Sequence, residues 1–413
     1  MYLTRLSLTN FRNYTRLELS LPYQVVILQG DNAQGKSNFL EAIYYLVTTR
    51  SPHTSTNRQL INWMADEEVL PYARLEGRVQ RHDSPCRVTM TLMKKPVGNR
   101  GKFQLRRQIE LNGVRKTAAE FLGELLVVLF SPQDIDLVDG SPGSRRRFLN
   151  ILLCLLDKQY CRALRRYKAT LRQRNSLLSH LSQGRGNCEE LEVWDEQLTA
   201  SGAYLIAQRW QAVDGLDRLG QTFHRKLTNG QERLRLSYEP SLDPTQSSSL
   251  NYQLPLDFTE LQNRRGAWSK LDSSAIAAAF RARLRELRSD EIERGMTLIG
   301  PQRDDVHFLV NGVDMTIYGS RGQQRTVALS LRLAERAFML EERGEEPVLL
   351  LDDIMSELDQ MRRAALMELL DDTEQVILTT TDWKDYRPDF LAHVHCLSVE
   401  AGQIKPADPA LAE

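Results

Sequence analysis

From Gly30 to Ser37 the chain reads Gly-Asp-Asn-Ala-Gln-Gly-Lys-Ser, a complete G-x-x-x-x-G-K-[ST] phosphate loop. Such a loop binds phosphate because successive backbone N–H groups, at the positive end of a helix, converge on the anion. Gly30, Asp31, Asn32, Ala33, Gln34, Gly35, Lys36 and Ser37 are therefore expected to cradle a nucleotide, with ATP and Mg²⁺ as ligands. Gly30 and Gly35 permit dihedrals and a close approach that a side chain would block. Lys36 is expected to reach the β- and γ-phosphates, and Ser37 to ligate Mg²⁺. Far downstream, the apolar run Val348 to Leu351 ends in Asp352 and Asp353. A carboxylate ending an apolar strand beside a phosphate loop holds the Mg²⁺ hydration shell, the task expected of Asp352. Asp353 is the candidate general base for the attacking water. The bland alternatives are a glycine turn with an incidental lysine and a solvated strand end.

Between the two lies Tyr318 to Arg325, reading Tyr-Gly-Ser-Arg-Gly-Gln-Gln-Arg. A serine hydroxyl and a glycine at a helix N-terminus suit a γ-phosphate. ABC-type ATPases cap a partner's nucleotide with a turn of this kind. Ser320, Gly322 and Gln323 are thus expected to close the site of a second chain, with a plain N-cap at Ser320 as the alternative.

The elements needed to position these groups are legible. Leu17, Leu19 and Leu21 alternate with Arg16, Glu18 and Ser20, the period of a half-buried strand. Leu6 and Leu8 mark an earlier strand, with Asn10 to Asn13 as the turn. Val25 to Leu28 is a continuous apolar run, as in a strand buried on both faces, and it enters the phosphate loop directly. A helix is expected over Asn38 to Leu46. Residues 72 to 129 read as a β-rich flank, with loop signals at Val97 to Gly101 and at Asn112-Gly113. Arg147 to Leu181 carries apolar residues at spacings of three and four, and a second such pattern starts at Leu191. The polar turn Ser182 to Asn187 makes the two an antiparallel hairpin. Pro240 to Pro255 reads as loop, and a helix is expected over Ala275 to Arg288. A helix over Arg325 to Glu342, the Asp352 strand, a helix near Arg362 and a strand over Gln375 to Thr379 return the chain to α/β. The expected fold is α/β, a P-loop ATPase head with a β-rich flank, interrupted by a helical insertion domain. Its spans are 1–140, 141–290 for the insertion, and 291–413, the two ends combining into one sheet.

At 413 residues the chain can bury a large core. No apolar run approaches a membrane span of roughly 18–20 residues, and no signal peptide is visible. Five cysteines without a C-x-x-C pair argue against a disulfide framework or a zinc site, so a reducing cytoplasm is expected. The net charge of +0 conceals segregation. Lys94 to Lys116 holds eight Lys/Arg against one acid, and Ser141 to Arg185 holds eleven against one. Glu341 to Glu374 reverses the balance, with twelve acids against three arginines. The basic stretches can bind polyanions locally or remain solvated faces.

With these residues in view, the chain resembles the RecF family of bacterial recombination mediator ATPases, which is related to SMC-type and ABC-type heads. The resemblance covers essentially the whole chain. It rests on Asn10 to Tyr14, the Gly30 to Ser37 loop, Leu129 to Asp134, Gly140 to Leu149, Gly300 to Asp305 and Leu350 to Asp359. It implies that Gln133 occupies a Q-loop position linking Mg²⁺ and γ-phosphate to the helical arm, and that Arg12 lies near adenine or phosphate. Ser356 to Asp359 resembles the loop that crosses the dimer interface. In two places the chain departs from what related heads show. Thr379 to Asp382 stands where most ABC-type heads place a histidine, and Gln302 stands where a histidine is expected. Aspartate at position 353, where many relatives carry glutamate, predicts slow hydrolysis acting as a timer.

The resemblance also implies DNA as a partner, single-stranded and gapped or duplex, contacted by Arg145, Arg146, Arg147, Arg162, Arg165, Arg166 and Lys168. Arg145 to Arg147 could instead be a structural ion-pair cluster. An ATP-dependent homodimer is expected to clamp DNA at gaps and junctions beside RecR and RecO, assisting RecA loading and SOS induction. The rivals are a transporter's nucleotide-binding subunit, disfavoured by the split order and the basic arm, and a chromosome-organising protein, which needs far longer heptads. A scaffold that binds nucleotide without turnover is the third.

Overall fold

The computed structural model describes residues 1–54, 56–67, 71–81, 84–97, 102–242, 244, 268, 271–370 and 373–409. The chain folds as two compact units, one made of residues 1–134 with 335–413 and one of residues 135–334.

The first unit holds two six-stranded sheets. One is antiparallel, in the order Tyr14–Ser20, Tyr2–Phe11, Tyr72–Gln80, Pro85–Val97, Lys102–Leu111, Val114–Lys116. Its inward positions are apolar: Leu6 and Leu8 alternate with Arg5, Ser7 and Thr9, and Ala73, Leu75 and Val79 with Arg74 and Arg78. The other runs Gln403–Pro406, His395–Glu400, Gln24–Gln29, Gln375–Thr380, Val348–Asp352, Val127–Phe130. All its pairings are parallel except the terminal hairpin. The strands Val348–Asp352 and Gln375–Thr380 are buried at every position, as parallel strands covered on both faces must be. The two ends of the chain therefore do share one sheet. The helix Lys36–Thr48 contacts strands of both sheets, and nearly every one of its residues is buried. An all-round apolar sequence such as Phe39-Leu40 to Tyr44-Tyr45-Leu46-Val47 fits that position.

In the second unit, Lys158–Leu181 and Leu191–Leu227 form the expected helical hairpin. The pattern from Arg147 to Leu181 is two helices rather than one, because Asp157 breaks it. Asp157 has extended dihedrals, ends Pro142–Leu156, and caps the next helix by accepting the Gln159 N–H at 2.7 Å. A three-stranded antiparallel sheet of Leu234–Glu239, Asp305–Val310 and Val313–Asp314 completes the unit with Ser273–Glu286 and Arg288–Arg294. Asn311 and Gly312 turn its hairpin with φ of 51° and 83°, the dihedrals of a type I′ turn.

The compact units part from the expected spans at both ends of the insertion. Residues 135–140 and, more extensively, 291–334 belong to the helical unit. The cause is strand pairing, since Leu234–Glu239 holds Asp305–Val310 along its full length. The helix Arg321–Arg343 then carries the chain back into the two-sheet unit. The Pro240 to Pro255 loop lies largely outside the described residues, as does the Gly98 to Gly101 turn.

Candidate active site

Four parallel strands end together. In register, Gln29 lies beside Thr380, Thr379 beside Asp352, and Leu351 beside Phe130. The phosphate loop, Thr379, the Asp352-Asp353 pair and the turn holding Gln133 thus all emerge at the carboxyl edge of one sheet, where open α/β sheets bind ligands.

The loop is braced from two sides. Asn13 Nδ2 donates to the Gln34 carbonyl at 2.9 Å, and Tyr14 OH donates to the Gly35 carbonyl at 2.9 Å. The Gly402 N–H donates to the Gln34 carbonyl at 3.0 Å, and the Ala401 N–H to Gln34 Oε1 at 2.6 Å. Gly35 has φ of 124°, and a Cβ there would meet Asn13 Nδ2 at 2.6 Å. A Cβ at Gly30 would strike the Val399 carbonyl. Both positions require glycine, for dihedral and for space respectively.

Lys36 is buried, with Nζ donating to the carbonyls of Gly30 and, at 3.0 Å, Asp31. Burial lowers its pKa, opposed by the nearby charges of Asp353, Asp352 and Asp31. Ser37 Oγ donates to Asp352 Oδ1 at 2.9 Å, and Thr379 Oγ1 donates to the same oxygen at 2.8 Å. A hydroxyl and a carboxylate side by side form a hard-oxygen donor set that fits Mg²⁺. Asp353 adopts φ of 50°, a left-handed turn that aspartate tolerates better than most residues. Its N–H donates to Thr379 Oγ1 at 2.9 Å, and its Oδ1 is a buried oxygen without a hydrogen-bond partner among the described residues. Burial first, and then Asp352 and Asp385, lift its carboxyl above the usual range, against Ser356 and Lys36. A carboxylate shifted toward neutrality is better matched to proton abstraction.

Thr379 is the residue that sequence reasoning placed but did not assign. It bridges Asp352 and Asp353, orienting one carboxylate and the backbone of the other. Thr379→Val is expected to lower ATP turnover about 10–100-fold, the range for lost outer-shell support. Nucleotide affinity should change little, a split that steady-state kinetics beside fluorescent-nucleotide titration would read.

Other expected site residues divide. Gln133 is exposed in the short helix Pro132–Leu137, whose start is fixed by the Ser131 N–H donating to Asp134 Oδ2 at 2.8 Å. Arg12, with φ of 53°, makes a bidentate pair with buried Glu41 at 2.7 and 2.8 Å and donates to the Gln59 carbonyl at 3.1 Å. It therefore anchors the phosphate-loop helix. In the second unit, Ser320 and Gly322 are exposed at the start of Arg321–Arg343. Ser320 Oγ donates to Gln323 Oε1 at 3.1 Å, and the Gln323 N–H donates back to Ser320 Oγ at 3.3 Å.

Arg145 requires a correction as a DNA contact. It is 4% exposed, bidentate with Asp305 at 2.6 and 2.8 Å, and donates to the carbonyls of Gly140 and Val138. It is a structural ion pair. Arg146 is half-buried and donates to the Asp304 carbonyl at 2.7 Å, whereas Arg147 is exposed. Arg162, Arg165, Arg166 and Lys168 are all exposed on Lys158–Leu181. Gln302 is structural, accepting from Tyr167 OH and donating to the Ile299 carbonyl at 2.8 Å.

No helix among the described residues is long and apolar enough to cross a membrane. Residues 2–388 match the model of the RecF/RecN/SMC N-terminal domain. The chain is 40% identical to the DNA replication and repair protein RecF of Chloroflexus aurantiacus, covering 98% of this chain and 99% of that one. It is 35% identical to that of Geobacillus thermodenitrificans over 98% and 99%. Solved structures of the recombination mediator protein RecF with ATP and with an ATP analogue, in the RecFOR pathway, match with a TM-score of 0.80, 32% identity and 98% coverage of both chains. An SMC head, at TM-score 0.50 and 16% identity, shares the fold alone. On the strength of near full-length identity and fold, the chain belongs to the RecF family of DNA replication and repair proteins.

Proposed function

We propose that this chain is a slow, DNA-linked ATPase of replication and recombinational repair that closes as an ATP-dependent homodimer around DNA. The observation that carries the reading is the convergence of Ser37, Asp352, Thr379 and Asp353 beside the braced phosphate loop. The loop's backbone N–H groups and Lys36 hold the phosphates, and burial around Lys36 strengthens that hold. Mg²⁺, when bound by Ser37 and Asp352, supplies charge neutralisation at the phosphate oxygens. Asp353 takes a proton from the attacking water at its unpartnered oxygen, and Gln133 would link Mg²⁺ and the γ-phosphate to the helical arm. The expected turnover is slow, below about 10 s⁻¹. Ser320, Gly322 and Gln323 of a second copy close over the γ-phosphate, and ATP drives closure to the extent that the dimer contacts it better than the monomer does.

DNA contact is assigned to Arg147, Arg162, Arg165, Arg166 and Lys168, with Arg146 contributing from its half-buried position. The relatives' RecFOR setting supports RecR and RecO as partners, with RecA downstream.

Fluorescence anisotropy of labelled duplex DNA, with and without ATP·Mg²⁺ at two salt concentrations, tests the reading. Tighter, salt-sensitive binding in ATP is expected. Alanine at Arg162, Arg165 and Arg166 should flatten log K against log[salt] by about 0.9 for each phosphate no longer neutralised. No DNA binding in either nucleotide state would sink the proposal.

A further inference from the structure

The Ser320 turn is not held by its own helix alone. Gln323 Oε1 accepts from the N–H and the hydroxyl of Ser320 at 3.2 and 3.1 Å. The other side of the same amide, Nε2, donates to Glu232 Oε1 at 3.0 Å. Glu232 Oε2 in turn lies 3.1 Å from Nε2 of His224, a side chain with no solvent exposure near the C-terminal end of Leu191–Leu227. His224 Nδ1 lies 3.0 Å from Ser330 Oγ, and that hydroxyl donates to the Thr326 carbonyl at 2.7 Å. With its one proton committed there, Ser330 accepts from Nδ1. Nε2 then faces one oxygen of Glu232, while the other oxygen accepts from the Gln323 amide. The five residues form one chain from the exposed turn to the core of the helical unit.

An amide without this restraint can rotate, presenting Nε2 in place of Oε1 and depriving Ser320 of its acceptor. We propose that Glu232, fixed by His224, is a positioning residue for the Ser320 turn, setting the orientation in which Ser320 meets the partner copy's nucleotide and tying that orientation to the long helix of the arm. The inference rests on the proposed closure of Ser320 over a second chain's γ-phosphate.

The test uses the full chain and three variants, Glu232→Ala, Glu232→Gln and Ser320→Arg, with ATP-dependent dimerisation followed by sedimentation velocity. Nucleotide affinity is read in parallel at protein concentrations too low for dimers. Glu232→Ala should weaken dimerisation in ATP about tenfold, as expected for a lost outer-shell partner. Its affinity for nucleotide at its own phosphate loop should stay within about twofold of wild type, since uniform binding is untouched. Glu232→Gln keeps an acceptor for Gln323 and should recover part of the loss, whereas a further variant, Glu232→Met, keeps the volume without an acceptor and should not, a split that a mere packing role would not produce. Normal dimerisation of Glu232→Ala beside a failing Ser320→Arg overturns this proposal alone. Normal dimerisation of Ser320→Arg removes the closure model beneath it. Should Glu232→Ala not fold, Glu232→Asp withdraws the carboxylate from the Gln323 amide and is expected to show the same dimerisation defect, normal dimerisation overturning the proposal.

Discussion

Lys36→Ala is expected to reduce ATP turnover by at least about 10²–10³-fold, the loss typical when one preorganised charge or donor is taken from a transition state. The lysine is 7% exposed, so its charge acts where water screens it little. It also lowers the pKa of Asp353, which burial raises. Removing it therefore lifts the Asp353 carboxyl further, so the loss expected is the one at the phosphates. Phosphate-release kinetics would measure it. Nucleotide titration would separate binding from chemistry. Turnover within a few-fold of wild type would show that the loop is not the hydrolytic site.

The second large effect lies in the helical unit, where Arg209→Met should destabilise by about 3–5 kcal/mol, as when a buried ion pair loses one partner. Arg209 donates to Asp304 Oδ2 at 3.2 Å, Tyr160 OH at 3.1 Å, Asn150 Oδ1 at 3.1 Å and the Pro301 carbonyl. Asp304, 1% exposed, also accepts from Tyr238 and from the Ser241 N–H at 2.9 Å. The Gly300 to Asp305 segment is thus a knot joining three helices and a strand. Burial raises the Asp304 carboxyl and Arg209 holds it down. Without Arg209, the native state binds the Asp304 proton more tightly than the unfolded chain does. Stability then falls as pH rises above the ordinary aspartate value of about 4, and the deficit is smaller in mild acid. Urea unfolding followed by circular dichroism at two pH values would show both. An unchanged midpoint would mean that Arg209 is not what compensates Asp304.

What the sequence disclosed was whatever local pattern and motif order determine. The phosphate loop, the strands at Val25 and Val348, the helical hairpin and the Asn311-Gly312 turn all follow from periodicity and turn chemistry within a short window. The strand Leu234–Glu239 is not legible despite the alternation of Leu234, Leu236 and Tyr238, because so short a segment is fixed by its pairing with the distant Asp305–Val310. The hairpin His395–Glu400 and Gln403–Pro406 was missed too, and with it the support that Ala401 and Gly402 give the loop. Charge runs misled for a different reason. Arg145, Arg146 and Arg147 are adjacent in sequence, but a helix turns successive residues about 100° apart, so one faces Asp305 while another faces solvent. Thr379 could be placed at the carboxyl edge, but its link between two carboxylates depends on the register of strands far apart in the chain.

The interleaved order of the parallel sheet has a consequence for how the chain is made. Gln24–Gln29 precedes residues 135–334, yet both its neighbours, Gln375–Thr380 and His395–Glu400, follow them. A nascent chain therefore carries the phosphate loop on an unpaired, strongly apolar strand while residues 135–334 are being made and can fold as a unit. The pairing that creates the nucleotide site is of high contact order and comes last. Until both neighbours are made, that strand presents an unpaired edge of the kind that pairs with other chains.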